Sequence, residues 1–260
     1  MNIKKALTIA GSDPCAGAGI QADLRTFTQL NVYGMTVLTA VTVQNTRGVK
    51  EIIPLPASSV RKQLKTLLSD IKIDALKTGM LLTKENILSV EDVVKKYKIK
   101  KFVSDPIIES STGVELLKKD AVLLLKKRLF PLAMIITPNI NEAVILTGIK
   151  IKDENDIRLA AKMLYEMGPK YVLIKGGHLT GDANDFLYDG KHFKIFKGKR
   201  VKAVKLHGTG CVFSSAITAY LAKGFVVEEA VREAKRFINN AIKKSAAIGK
   251  GRRVLWQHGI

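Results

Sequence analysis

Cysteine is nearly absent from this chain of 260 residues: Cys15 and Cys211 stand far apart and form no C-x-x-C pair. That spacing argues against a disulfide framework, and a structural zinc site is not expected. Aromatic residues make up only 6%, with one tryptophan. Only Tyr97 and Phe196 fall within the basic clusters, too few for a base-stacking platform. Apolar runs stay short of the ~18 residues that cross a bilayer. Met1-Asn2-Ile3-Lys4-Lys5 leads directly into a strand-like segment, without the apolar stretch and cleavage site of a signal peptide. A cytoplasmic location with no membrane partner is the expectation. Acidic residues are the scarcer charge, 23 against 43 Lys and Arg, for a net charge of +20. The excess is spread over many segments, such as Lys95 to Lys101, Lys126 to Arg128 and Lys194 to Arg200. It reads as solvated helix faces and loop tips more than as a nucleic-acid patch. A basic nucleic-acid-binding protein is kept as the reading from a different class. A basic surface would also attract an anionic substrate such as a nucleotide.

What is present is an ordinary globular balance, 47% hydrophobic and 25% charged. The length suits one α/β domain over residues 1–260. Strand and helix patterns alternate, as in a layered α/β fold with a mostly parallel sheet. Strands are expected at Lys5 to Ala10, Met35 to Val43, Val49 to Leu55, Ile73 to Lys77, Lys101 to Ser104, Ala133 to Ile136 and Tyr171 to Ile174. Helices are expected at Ile20 to Leu30, Ser59 to Leu68, Lys84 to Tyr97, Leu116 to Leu125, Asn141 to Leu146, Ile157 to Met167, Cys211 to Ala222 and Glu228 to Ala246. Asp189-Gly190 between Asp185 to Tyr188 and His192 to Phe196 is the strongest short hairpin signal.

Several glycine motifs invite a nucleotide reading. Gly17-Ala18-Gly19-Ile20-Gln21-Ala22 matches G-x-G-x-x-A between a strand and a helix. No Asp or Glu follows between Leu24 and Lys50 to hold a ribose, so a dinucleotide site is not supported. No P-loop is present, because Gly190-Lys191, Gly198-Lys199 and Gly249-Lys250 lack the following Ser or Thr. His207-Gly208-Thr209-Gly210-Cys211 at a helix start is more informative. Backbone N–H groups and the helix dipole would form an anion cradle there, suited to a phosphoryl group in transit. Cys211 in the first turn should have a lowered thiol pKa and could accept a hydroxyl proton. The alternative is a glycine-rich turn followed by a small packed cysteine.

Other polar residues also follow strands. Asn139 and Glu142, in Thr137-Pro138-Asn139-Ile140-Asn141-Glu142, suit Mg²⁺ through water, or else simply cap a helix. Asp105 follows one strand, Lys175 in Lys175-Gly176-Gly177-His178 could reach phosphates from another, and Gln44 could pair with an aminopyrimidine edge. All these motifs fall at C-terminal strand ends, the edge where open α/β sheets bind ligands.

Together with Ala10-Gly11-Ser12-Asp13-Pro14 and Gln21-Ala22-Asp23-Leu24, these motifs resemble, in order and over nearly the whole chain, hydroxymethylpyrimidine/phosphomethylpyrimidine kinases of thiamine biosynthesis. The resemblance implies a ribokinase-like three-layer α/β/α fold with a central mostly parallel sheet and a β-hairpin near one edge. It also implies ATP- and Mg²⁺-dependent phosphorylation of 4-amino-5-hydroxymethyl-2-methylpyrimidine and then of its monophosphate, and a homodimer. By the same resemblance, Gly208, Thr209, Gly210 and Cys211 are the anion hole, and Lys175 neutralises phosphate. Gln44, Gly11, Asp23 and Met80 lie at the substrate pocket, Asn139, Lys175 and Thr209 at the nucleotide, and Asp105 and Glu142 at the metal. A pyridoxal or pyridoxine kinase on the same fold is the nearest alternative. The chain departs from the family at Cys15-Ala16, in place of Ser-Gly, at Ile107 to Ser111, and in the tail Arg252-Arg253-Val254-Leu255-Trp256.

Overall fold

The computed structural model describes residues 3–110, 112–176, 183–198 and 205–259. The chain opens with β1 (Lys5–Ser12), α1 (Gly19–Gln29), β2 (Tyr33–Asn45), β3 (Gly48–Pro54), α2 (Ala57–Asp70), β4 (Ala75–Thr78), α3 (Lys84–Lys96) and β5 (Phe102–Ser104). It continues through α4 (Lys119–Leu124), β6 (Ile135–Ile136), α5 (Ile140–Thr147), α6 (Glu154–Tyr165), β7 (Tyr171–Lys175), β8 (Asp185–Tyr188) and β9 (Phe193–Phe196). It closes with β10 (Leu206–His207), α7 (Thr209–Ala222), α8 (Val227–Lys243) and β11 (Arg253–Val254).

Among these strands, β1 to β9 form one sheet in the order β3-β2-β1-β4-β5-β6-β7-β8-β9. The run from β2 to β7 is parallel, and β3, β8 and β9 add antiparallel pairings at the two edges. Because successive strand residues point to opposite faces, the sheet sorts its side chains by parity. Leu7, Ile9, Leu76, Phe102, Ile136, Val172 and Ile174 face one core, which α2 to α6 cover. Ala6, Ala75, Val103, Ile135 and Leu173 face the other, covered by α1, α7 and α8. The result is a three-layer α/β/α sandwich.

Small residues on that second face let α7 lie close to the sheet. Nearly all of α7 is buried, since it sits between the sheet and α8. A helix apolar all round is a buried helix. By contrast α8 buries one stripe, including Val227, Ala230, Val231, Ala234, Phe237, Ile238 and Ala241, and exposes the rest. Phe27 of α1 has no exposure. A side chain of that kind contributes roughly 1.5–3 kcal/mol on burial.

Two expectations changed, and one pairing was not foreseen. Leu116 and Leu117 are not helical; both donate backbone N–H to Ile108 O, at 2.7 and 3.1 Å. They close a looped excursion from Ile107 that turns at Gly113, with φ +84°. The helix begins only at Lys119, and a π-type turn at Leu125–Leu129 follows it. The hairpin pairs Tyr188 with Phe193. Its loop therefore runs over 189–192 and is pinned by Asp189 Oδ1, which accepts from the N–H groups of Lys191 and His192. Finally, β10 and β11 form a separate parallel pair, Leu206 with Arg253 and His207 with Val254, that fastens the tail beside the start of α7.

Candidate active site

In the sheet, β1 has β2 on one side and β4 on the other, so the chain's course reverses there. A crevice outside the C-terminal strand ends is expected at such a reversal. A cleft of about 550 Å³ occupies that place. Gly11 and Asp13 from the end of β1, Gln44 from β2 and Met80 after β4 line it. So do Asp105 after β5, Asn139 and Glu142 after β6, and Lys175 at the end of β7. Gly208, Thr209, Gly210 and Cys211 complete it, and the 107–116 excursion forms a further wall. Gly177 and His178 lie outside the described residues.

The cradle at α7 follows from local conformation. Gly208 is the N-cap in the left-handed region, φ +84°, and makes no side-chain cap. The first helical bond closes only at Val212 N–H to Gly208 O, 3.0 Å. The earlier N–H groups of the first turn are therefore the unsatisfied donors of a helix start, and they belong to residues lining the cleft. A side chain at Gly208 would begin 1.7 Å from Gly17 O, and one at Gly210 would begin 3.2 Å from Lys175 Nζ. The cradle and the lysine are thus immediate neighbours.

Lys175 Nζ donates to Asp105 Oδ1 at 2.9 Å. Thr137 Oγ1 donates to the same oxygen at 2.9 Å, and Ser214 Oγ donates to Asp105 Oδ2 at 2.9 Å. Burial works against the Asp105 charge, but Lys175 and then Lys77 outweigh it and the pKa is lowered. Burial likewise disfavours the Lys175 ammonium, while Asp105 and Glu142 outweigh that and raise its pKa. Asn139 and Glu142 form a reciprocal capping box: Glu142 N–H donates to Asn139 Oδ1 at 2.9 Å, and Asn139 N–H to Glu142 Oε2 at 2.7 Å. Capping and a place in the cleft thus coexist. Burial pushes the Glu142 carboxyl up to about 7, against the pull of Lys175.

Two expectations about residue state or position do not hold. Cys211 is buried, and burial pushes its thiol up to about 11, with Asp23 and Asp105 adding to the rise against the pull of Lys77. The helix dipole does not offset desolvation beside two carboxylates, so the resting side chain is a thiol and not a thiolate. Asp23 does not line the cleft. It lies under it with no exposure, accepting from Lys77 Nζ at 2.8 Å on each oxygen, from Thr8 Oγ1 at 2.6 Å and from Ser215 Oγ. Its place four residues into α1 turns it toward β1, β4 and α7 instead of toward solvent.

Sequence reasoning missed a cluster at the cleft's edge. His207 Nε2 lies 2.8 Å from Asp13 Oδ2 and 2.9 Å from Gln44 Nε2. One ring nitrogen has one proton to give, and the carboxylate is its acceptor. With that proton directed to Asp13, the Gln44 amide lies against the same nitrogen and against Thr42 Oγ1, 3.3 Å away, whose own proton goes to Ser12 O. Asp13 also accepts from Ala18 N–H at 2.8 Å and from Cys15 N–H and Sγ at 3.0 Å each. Burial raises the Asp13 carboxyl, but the bonds from His207 and Cys15 prevail and hold it at about 2. Both Asp13 and His207 were visible within recognised motifs. Nothing in their spacing of 194 residues joined them. Arg252 also lines the cleft, brought there by the β10–β11 pairing.

The profile of the family described as Phosphomethylpyrimidine kinase matches residues 13–256. The hydroxymethylpyrimidine/phosphomethylpyrimidine kinase of Bacillus subtilis is 42% identical, over 96% of this chain and 93% of its own. The thiamine biosynthesis bifunctional protein ThiED of Geobacter sulfurreducens is 48% identical over 94% of this chain, which spans about half of that longer protein. Among solved structures, Bacillus subtilis pyridoxal kinase in complex with ADP superimposes with a TM-score of 0.91 at 39% identity, covering 98% of each chain. The ribokinase-like architecture is therefore present, and by sequence profile, full-length kinase relatives and fold this chain belongs to the phosphomethylpyrimidine kinase family.

Proposed function

We propose that the protein phosphorylates 4-amino-5-hydroxymethyl-2-methylpyrimidine with ATP and then phosphorylates the monophosphate to the diphosphate. The observation that carries this reading is the meeting, in one cleft, of the uncapped α7 start, the Lys175 ammonium and the polar end of β2 at Gln44. The relative's name from Bacillus subtilis supplies the substrate class.

The residues fit the two anionic partners. Phosphate oxygens suit the Thr209 to Cys211 amides and Lys175, in reach of Asn139. Mg²⁺ takes oxygen ligands and keeps several waters. Glu142 offers a carboxylate in the cleft, whereas both Asp105 oxygens already accept hydrogen bonds, so Asp105 acts through Lys175 and water. When bound, Mg²⁺ neutralises charge on the phosphates. Gly11 and Met80 form the floor of the pyrimidine pocket and Gln44 reads its edge. Cys211 holds its proton at rest and stands at the hydroxymethyl group. Phosphoryl transfer has a loose transition state, so positioning and charge stabilisation dominate and the hydroxyl proton leaves late. Cys211 serves that late step, for which its thiol must first ionise. The second phosphorylation uses an acceptor oxygen already ionised and needs less of it. The test is ATP-dependent turnover of hydroxymethylpyrimidine, read by mass. Addition of one and then two phosphoryl groups supports the reading, and no mass gain overturns it.

The likeness to pyridoxal kinase favours one second reading, phosphorylation of pyridoxal at the same hydroxymethyl position. Side-by-side turnover of the two compounds decides between them. A homodimer is supported by exposed Val41, Val43 and Ile53, with Val41 of β2 and Ile53 of the edge strand β3 cross-strand partners. A cytoplasmic location is supported by two free thiols, Cys15 and Cys211, in keeping with a reducing compartment. Among the described residues no helix is long and apolar enough to cross a membrane.

A further inference from the structure

The fold brings the Cys15 thiol to two other metal-binding side chains. The Cys15 thiol, an Asp13 carboxylate oxygen and a His207 ring nitrogen all lie within 4.8 Å of one another. We propose that Asp13, Cys15 and His207 form a site for a zinc-class divalent cation, whose occupancy slows the enzyme.

The donor set is the first argument. Thiolate, imidazole and carboxylate are the three side-chain ligands of zinc, and three protein ligands with a fourth position left to water make an open tetrahedral site. Mg²⁺ prefers oxygen ligands alone, so this triad selects against the ion that the kinase reading needs. Geometry is the second. With bonds of about 2.0–2.3 Å, tetrahedral ligands stand roughly 3.3–3.8 Å apart. Cys15 Sγ lies 3.0 Å from Asp13 Oδ1 and His207 Nε2 2.8 Å from Asp13 Oδ2, on the two different oxygens of one carboxylate, and the sulfur, a ring nitrogen and one of those oxygens all lie within 4.8 Å of one another. Side-chain rotation within that span brings them to the required value. Orientation is the third. Asp13 is fixed by the N–H groups of Cys15 and Ala18, which remain in place when the ion replaces the two shared protons. Such outer contacts hold ligands ready and are worth tens of fold in affinity. On binding, the Cys15 proton leaves to solvent and the His207 proton moves to Nδ1, with no change of oxidation state.

The effect on activity comes from where the ligands sit. His207 Nε2 lies 2.9 Å from the Gln44 amide, and His207 immediately precedes the Gly208 cradle. An ion that claims Nε2 disturbs this contact with Gln44 and shifts the entry to α7. The slowing of activity rests on the kinase reading; the binding does not.

Two experiments test these parts separately. Co²⁺ added to the full-length protein should give a sulfur-to-cobalt charge-transfer band in the near ultraviolet and visible bands of a four-coordinate ion. Cys15→Ser should remove the charge-transfer band and lower Co²⁺ and Zn²⁺ affinity by at least ~10²-fold, while circular dichroism and thermal unfolding confirm that it is folded. Absence of the band in the parent protein overturns the site. Its persistence in C15S also overturns it, by placing the sulfur at Cys211. In turnover assays with Mg²⁺ and ATP in excess, Zn²⁺ should inhibit the parent at concentrations at least ~10²-fold below those needed for C15S. Equal inhibition of the two would overturn the regulatory part and leave the spectroscopic result standing.

Discussion

Lys77 and Asp23, neither with any exposure, are joined by two hydrogen bonds of 2.8 Å beneath the start of α7. Ser215 and Thr8 complete the carboxylate's set, tying α7 and β1 to β4 through one buried charge. Removing one partner of such a pair leaves the other charge stranded, at a cost of about 3–5 kcal/mol. Asp23→Asn should therefore lower Tm by roughly 10 °C or more. A Tm within a degree or two of the parent would show that the pair does not hold the layers together.

Gly210→Ala tests the closeness of Lys175 to the helix start. The added methyl meets Lys175 Nζ at 3.2 Å, on the face where phosphate oxygens would bind. Alanine favours a helix, so stability should hold or rise slightly, while kcat falls by roughly 10²-fold. Loss of stability together with activity would mean that the glycine serves packing.

The high Cys211 pKa gives the first phosphorylation a pH signature. The thiolate fraction grows tenfold per pH unit below about 11. The first step should rise on that slope between pH 7 and 10, and the second should rise less. Cys211→Ala should lower the first step by roughly 10²–10⁴-fold, the second by less, and flatten the profile. Parallel losses in both steps would assign the cysteine to cradle geometry.

Glu142 titrates near neutrality. Its carboxyl is held up to about 7 in the fold, chiefly by burial, and so is neutral below that pH and charged above it. The apparent KM for Mg²⁺ should fall as pH rises through 7, and Glu142→Gln should abolish that step. The stability contribution has the opposite sign: a raised carboxyl pKa favours the fold most below the ordinary value of 4.5, and this favour is lost as pH rises through about 7. A pH-independent Mg²⁺ KM in the parent would remove Glu142 from the metal's reach.

Gln44→Ala should raise KM for the pyrimidine and leave KM for ATP nearly unchanged. A shift in the ATP constant alone would move Gln44 out of the pyrimidine pocket.

Much of this molecule was legible along the chain. Apolar runs marked the strands at Lys5 to Ala10 and Tyr171 to Ile174, and helical patterns marked Cys211 to Ala222 and Glu228 to Ala246, each within a few residues of the observed β1, β7, α7 and α8. These elements carry their own periodicity. Residues at strand ends, from Gln44 to Lys175, could be placed at one edge because parallel topology aligns those ends. Leu116 and Leu117 misled because their partners, Ile108 and Leu82, lie in other segments, and a two-residue pair such as β10–β11 has no pattern to read. The charge of Cys211 and the depth of Asp23 were hidden for a related reason: a side chain's solvent and ionic neighbours are set by the packing of distant elements. A motif records none of that.

The tail has a consequence of its own. Arg253 and Val254 run alongside Leu206 and His207, Arg252 donates its N–H to Thr46 O, and Arg253 N–H reaches Lys205 O. This stretch thereby clasps the rim of the cleft, so that segments about two hundred residues apart in the chain share one edge of it.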